Sequence, residues 1–223
     1  MTATPSRDKL GLPDDALVLA SLVPHWKITQ PVFDVWMRVL GAIPDAGALA
    51  GRRRDRGATQ SQGRGGSARH RADRLVWARK VSMAEFIGQL PAADLFVDTF
   101  PYGGHSTTSG ALFAGLPIVT LAGRSFASRV AGSVLRTAGL DALVAHSLAE
   151  YEALIRALGR DRAALASLRA DVARARAAAP LFDLDGLRAR LEQGYRTVWQ
   201  RWRSGEPSCD VTVPPGPAGR SLG

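Results

Sequence analysis

The chain has 223 residues, 46% of them hydrophobic, and a formal net charge of +9, which suits one globular core with or without a tail. No apolar run reaches the roughly 18 residues of a membrane span, and the opening MTATPSRDKLGLPDDA has no apolar signal region, so a cytoplasmic setting without membrane contact is expected. A single cysteine, Cys209, excludes a disulfide framework and a thiolate metal site, and the four scattered histidines lack zinc-site spacing, so no metal is expected.

Ala16 to Leu22 is an apolar run that predicts the first strand, followed by a loop, Val23 to Gln30. Pro31 to Ile43 predicts an amphipathic helix with proline at its start and Val32, Val35, Trp36, Val39 and Leu40 on one face. An alternating α/β chain should then supply a strand near Ala48 and a helix. Instead a weak apolar triplet leads into Gly/Arg/Ser/Gln low complexity, and the segment from 51 to 74 reads as an irregular basic insert or a degenerate stretch, either a true insertion or a slip of reading frame. A gap in the sheet beside the first strand, and marginal stability, are the expected consequences. That segment holds eight arginines and two aspartates, so it carries +6 of the total charge. Order resumes at Arg74 to Ala78, a strand. Ser82 to Leu90 is a helix with a capping box of Ser82 and Glu85.

Leu95 to Leu121, LFVDTFPYGGHSTTSGALFAGLPIVTL, is the most informative stretch. Leu95 to Val97 is a strand ending in Asp98. Tyr102 to Thr108 is a loop with two glycines and three hydroxyls, Ser109 to Ala114 a short helix, and Ile118 to Leu121 the next strand. Beyond it lie a helix from Ser125 or Phe126 to Ala138, a short strand at Leu143 to Ala145, and helices over Leu148 to Leu158, Asp161 to Ala178 and Leu184 to Arg203. Leu187, Leu191, Tyr195, Val198 and Trp202 line one face of the last helix, and residues 204–223 read as a disordered tail. Strands alternating with helices give a doubly wound parallel sheet, whose ligands sit outside the carboxyl ends of the strands. Two loops qualify, VPHWKIT and PYGGHSTTS. A glycine-rich loop running into a helix N-terminus is an anion seat, and Lys27 and His105 are the side chains suited to face one phosphate. The bland alternatives are a tight turn closed by glycine, a solvated lysine and a loop histidine bonded to a carbonyl. P-loop spacing is absent and no lysine follows; a nucleophile elbow would need glycine where Thr108 stands.

With these residues in place, the chain resembles the C-terminal half of the catalytic region of O-linked N-acetylglucosamine transferases, including bacterial relatives linked to tetratricopeptide repeats. The carrying segments are SRDKLGLPDDALVLASLVPHWKIT, ADLFVDTFPYGGHSTTSGALFAGLPIVTLAGRSFASRVAGSVL, SLAEYEALIRAL, APLFD and YRTVWQRW, so about residues 6 to 203 are covered, the basic stretch excepted. The resemblance implies the nucleotide-binding, Rossmann-like half of a GT-B glycosyltransferase. It implies a UDP-sugar donor, UDP-N-acetylglucosamine above all, a protein Ser or Thr hydroxyl as acceptor, an inverting reaction, and neither metal nor cofactor. Lys27 matches the family's diphosphate-binding lysine and His105, Ser106 and Thr107 its nucleotide-contacting histidine and hydroxyls; Gly104 belongs to the same loop, and Val81 to Met83 match the loop whose backbone holds uracil. Lys27 and His105 are the expected catalytic residues. The chain departs from the pattern at Gly110, where an acidic residue usually holds ribose, at Phe86 and Gln89, where many members carry His and Arg, and at Pro24. The N-terminal catalytic half and the helical repeats are outside this sequence, so an inactive fragment that holds UDP weakly is the alternative.

A nucleic-acid surface on Arg52, Arg53, Arg54, Arg56, Arg64, Arg69 and Arg71 would lack interleaved aromatics, and a solvated loop is the favoured reading. Trp36, Trp77, Trp199 and Trp202 are expected in the core, Trp26 is the tryptophan to consider beside a ligand, and Arg129 is expected to pair with a carboxylate such as Asp98.

Overall fold

The computed structural model describes residues 3–52, 74–79 and 81–214. Six strands form one sheet: β1 (Leu17–Pro24), β2 (Ala46–Arg52), β3 (Leu75–Trp77), β4 (Leu95–Val97), β5 (Ile118–Leu121) and β6 (Val144–Ala145). Their order across the sheet is β3-β2-β1-β4-β5-β6, and every pairing is parallel. The helices are α1 (Gln30–Ala42), α2 (Met83–Gln89), α3 (Ser106–Phe113), α4 (Phe126–Thr137), α5 (Leu148–Arg160), α6 (Arg162–Ala178) and α7 (Leu184–Arg203). The order reverses between β1 and β4, which makes the carboxyl ends of those two strands the switch point of a doubly wound fold, the place where such sheets bind ligands.

The strands that flank the switch point are continuously apolar because helices cover both faces of a parallel sheet. Leu17 to Val23, Leu95 to Val97 and Ile118 to Leu121 are all buried. From α1, Val32, Val35, Trp36, Val39 and Leu40 pack into this core as the spacing predicts, and Met37 joins them. The Ser82–Glu85 capping box forms at the start of α2. At the amino edge of the sheet, Asp94 accepts hydrogen bonds from Val18 N at 2.7 Å and Arg7 Nη2 at 2.9 Å, which ties the N-terminal segment to β1 and β4.

The expected gap beside the first strand is not there. β2 runs along β1 from Leu17↔Ala46 to Ser21↔Ala50, and β3 pairs with β2 in turn. Ladder bonds join main chains, so a weakly apolar Ala-Gly-Ala-Leu-Ala-Gly run can fill a slot between two strands although it carries little strand signal of its own. With the slot filled, the argument for marginal stability from an open edge loses its basis. Gly51 and Arg52 thus belong to a strand rather than to an irregular insert, and Arg74 donates to Leu40 O and Ile43 O, both at 2.7 Å, closing the C-terminal turn of α1. The helix expected after that strand, and the remaining basic residues, lie outside the described residues.

Two further expectations are corrected. α3 begins at Ser106, three residues earlier than the sequence pattern suggests, because Ser106, Thr107 and Thr108 form its first turn. The apolar stripe of α7 is not core: the helix has no buried residue, and Trp199 and Trp202 are exposed. Trp77 is half-buried and Trp36 buried.

Candidate active site

The loop after β1 turns through His25 to Lys27, and the loop after β4 runs from Asp98 to His105. The two are stitched together across the switch point. Lys27 Nζ donates to Gly103 O at 3.1 Å, and Thr29 Oγ1 donates to Phe100 O at 2.8 Å. Lys27 is therefore held at the entrance of α3. Its ammonium lies over the Tyr102 ring, 3.8 Å from the centroid, a distance at which the ring quadrupole attracts a cation. Partial burial lowers the Lys27 ammonium below the ordinary lysine value, and the negative charge of Asp98 pulls it part of the way back.

Asp98 is the organising residue, and its role is invisible in any sequence motif. It is buried and stands at the end of β4. Its Oδ1 accepts from Gly104 N at 2.7 Å and Thr99 N at 2.8 Å, and its Oδ2 from Thr120 Oγ1 at 2.8 Å. Its own carbonyl accepts from Tyr151 Oη at 2.7 Å, and Tyr151 Oη accepts from Trp36 Nε1 at 3.0 Å. One chain of bonds thus links α1, α5 and the loop after β4. Burial pushes the Asp98 carboxyl above the ordinary carboxylate range, against the pull of the bonds from Thr120, Gly104 and Thr99 and of the Lys27 charge. The expected pairing with Arg129 does not form: Arg129 is exposed, and Asp98 is satisfied by the groups just named. The glycine pair is explained by this packing. A Cβ on Gly103 would stand 2.9 Å from Asp98 Oδ2, and one on Gly104 2.8 Å from Thr108 Oγ1.

The site residues expected from sequence fall as follows. Gly104 N–H is spent on Asp98, and Gly103 N–H on Ala127 O at 3.1 Å, so the free donors at the helix entrance are those of the first turn of α3, which no intrahelical acceptor reaches. Ser106 is exposed and Thr107 half-buried in that turn, whereas Thr108 turns inward and donates to Gly104 O at 2.9 Å. His105 stands at the N-cap, half-buried, with Nε2 3.4 Å from Ala127 O and its ring stacked on Tyr102. The fold brings Lys27 and His105 against the same tyrosine. Val81 and Met83 stand where β3 gives way to α2, on the same carboxyl edge but two strands away from β1. At Gly110 a Cβ would meet Ile87 Cδ1 at 2.8 Å, so a larger residue there would need that side-chain end to shift, and the glycine itself offers no acid to hold a ribose. Among the described residues no group of three or more His, Cys, Asp or Glu is arranged to hold a metal ion, and no helix is long and apolar enough to cross a membrane. Asp98, Tyr102, Thr120 and Tyr151 were not legible as site residues; the one hint was a carboxylate closing a wholly apolar strand.

The chain has known counterparts in sequence and fold. The chain is 31% identical over 207 residues to the UDP-N-acetylglucosamine--peptide N-acetylglucosaminyltransferase of Caenorhabditis elegans, a match covering 93% of this chain and 18% of that protein. It is 29% identical over 209 residues to the probable UDP-N-acetylglucosamine--peptide N-acetylglucosaminyltransferase SEC of Arabidopsis thaliana, over 91% of this chain and 21% of that one. The solved K341M mutant of Thermobaculum terrenum O-GlcNAc transferase superposes with a TM-score of 0.68 at 27% identity, covering 91% of this chain and 40% of that structure. WaaG, a glycosyltransferase of lipopolysaccharide biosynthesis, shares the fold at a TM-score of 0.60 and 14% identity, over 49% of its length. The chain thus has the Rossmann-like fold of one part of a GT-B glycosyltransferase and spans about a fifth of the curated relatives it matches. The family model for glycosyl transferase family 41 matches residues 1–191, and the chain belongs to that family.

Proposed function

We propose that this chain is the donor-binding part of a cytoplasmic glycosyltransferase that moves N-acetylglucosamine from UDP-N-acetylglucosamine to Ser or Thr hydroxyls of proteins, with inversion and without a metal. The observation that carries the reading is the assembled anion seat at the switch point: Lys27 Nζ fixed to Gly103 O in front of the free N–H groups of α3. The relatives named above support the choice of donor and acceptor. A lone cysteine accords with a reducing compartment.

In this reading the acceptor oxygen bonds to the sugar C1 as the C1–O bond to the β-phosphate breaks. Negative charge grows on the departing UDP. The Lys27 ammonium, the helix N-terminus and a hydrogen bond from His105 stabilise it, which is the work a divalent cation would otherwise do. The acceptor proton leaves to a base that belongs to the rest of the enzyme, so the acceptor-side half and any repeat region that recruits substrates are required partners.

Calorimetric titration of the chain with UDP tests the reading. Saturable binding is expected, weakened about tenfold or more by Lys27→Ala and by His105→Ala, with melting temperatures close to that of the wild type. Affinity should fall as pH rises through the lowered pKa of Lys27, because the ammonium is lost there. No binding by a folded wild type would overturn the reading. Binding without sugar transfer to Ser/Thr peptides, even with the acceptor-side half supplied, would favour the second reading, a chain that holds UDP but takes no part in transfer; the glycine at position 110, in place of a ribose-holding acid, favours that outcome.

A further inference from the structure

The Lys27 ammonium rides on a flexible four-carbon stem, whose rotamer freedom is lost when a ligand holds it. Here it is already held. Nζ donates to Gly103 O at 3.1 Å and lies 3.8 Å from the centroid of the Tyr102 ring and 5.6 Å from that of Trp26. Asp98, the carboxylate whose charge reaches Lys27, spends its oxygens on Gly104 N, Thr99 N and Thr120 Oγ1. The tyrosine is fixed in its turn. Thr99 Oγ1 donates to Tyr102 O at 2.8 Å, Trp26 meets the ring edge-on at 5.5 Å, and His105 stacks on it at 5.3 Å. Thr29, at the N-cap of α1, makes no side-chain bond to its own helix, the usual work of a threonine there. Its hydroxyl donates to Phe100 O instead, so the loop of the lysine and the loop of the tyrosine keep one spacing.

We infer that Tyr102 is a positioning residue: its ring aims the Lys27 ammonium at the entrance of α3 and leaves the charge of that ammonium for the diphosphate. The inference rests on the reading of the switch point as a UDP-sugar site. A carboxylate in the place of the ring would grip the ammonium, but it would cancel the charge and repel a phosphate. An aromatic ring attracts the cation through its quadrupole and brings no net charge of its own. An ammonium has three N–H donors, and Gly103 O takes one, so the others remain for oxygens of a ligand. Burial does not account for where the ring stands, since Tyr102 is 40% exposed. Its contact with Lys27 does.

The test is a double-mutant cycle read by calorimetric titration of the full chain with UDP, beside thermal melts. Tyr102→Leu, which removes the ring, is expected to weaken UDP about fivefold, and Tyr102→Phe, which keeps it, by less than about twofold. In the Lys27→Ala background Tyr102→Leu should cost less than about twofold more, because the ring acts through the ammonium. In the His105→Ala background the full cost should remain. An equal cost of Tyr102→Leu with and without Lys27 would overturn the inference, because the ring would then serve UDP or the loop directly. Equal losses in the phenylalanine and leucine variants would overturn it too, by assigning the effect to the hydroxyl, as would unchanged affinity in the leucine variant. The cycle decides even where the leucine variant melts lower, since coupling to Lys27 is read as a difference between backgrounds. Failure of the wild type to bind UDP would overturn the underlying reading along with this one, and the wild-type titration alone tells it apart from the other outcomes.

Discussion

Trp36 and Trp202 both sit on helices with a clear apolar stripe, yet they meet opposite fates. Trp36 is 5% exposed; it packs against the sheet and gives its indole N–H to Tyr151. Trp202 is 68% exposed and stacks on Trp199 with ring centroids 5.0 Å apart. Around Trp36 even a carboxyl group is buried, because every polar atom of Asp98 has a partner. Along α7, Leu184, Leu187, Leu191, Tyr195, Val198, Trp199 and Trp202 are all exposed, and at 100° per residue they share an arc of about 120°. Amphipathic spacing fixes which side chains share a face. Whether that face is covered depends on what the tertiary fold sets opposite it, and the sheet lies opposite α1 but not opposite α7.

The largest break in this contrast is expected from Asp98→Ala. It strands Gly104 N–H, Thr99 N–H and the Thr120 hydroxyl in the interior, and a loss of about 3–5 kcal/mol is expected in denaturant unfolding. Asp98→Asn keeps the acceptor for the two N–H groups and turns a donor toward Thr120, so it should retain most of the stability. The pH dependence sharpens this. Because burial raises the Asp98 pKa in the fold, the folded state holds that proton more readily than the unfolded chain. Wild type should therefore gain stability relative to Asp98→Asn as pH falls through the raised pKa, and lose it as pH rises. A wild-type-minus-variant difference that is flat with pH would refute the raised pKa of the buried Asp98 carboxyl.

A smaller effect is expected from Tyr151→Phe, which leaves Trp36 Nε1 and the Asp98 carbonyl without their shared hydroxyl. The expected loss is about 1–3 kcal/mol; a neutral result would mean that water replaces the hydroxyl and that the link from α1 to the site is not tight. The smallest effect belongs to α7. Replacing Trp199 and Trp202 together by serine should change the stability of this chain by no more than about 0.5 kcal/mol while lowering the binding of a hydrophobic dye. A large loss of stability would show that the stripe is covered after all.

Much of the site was legible in the residue order. Gly103 and Gly104 before a helix start, Lys27 after an apolar run, and the alternation of strands with helices pointed to an anion seat at the carboxyl edge of a parallel sheet, because backbone geometry and hydrophobic period are local properties. Asp98, Tyr102 and Tyr151 were not, since a carboxylate, a loop tyrosine and a helix tyrosine acquire their roles from partners 22, 75 and 53 positions away. The strand Ala46–Arg52 was missed for a related reason: its place comes from the main chain of β1 beside it and not from its own side chains. Local chemistry in the chain settled the kinds of element and pointed to an anion as ligand. Long-range pairing settled the strand order, the burial of Asp98 and the exposure of α7, because these are free energies of contact between segments that no short stretch of sequence contains.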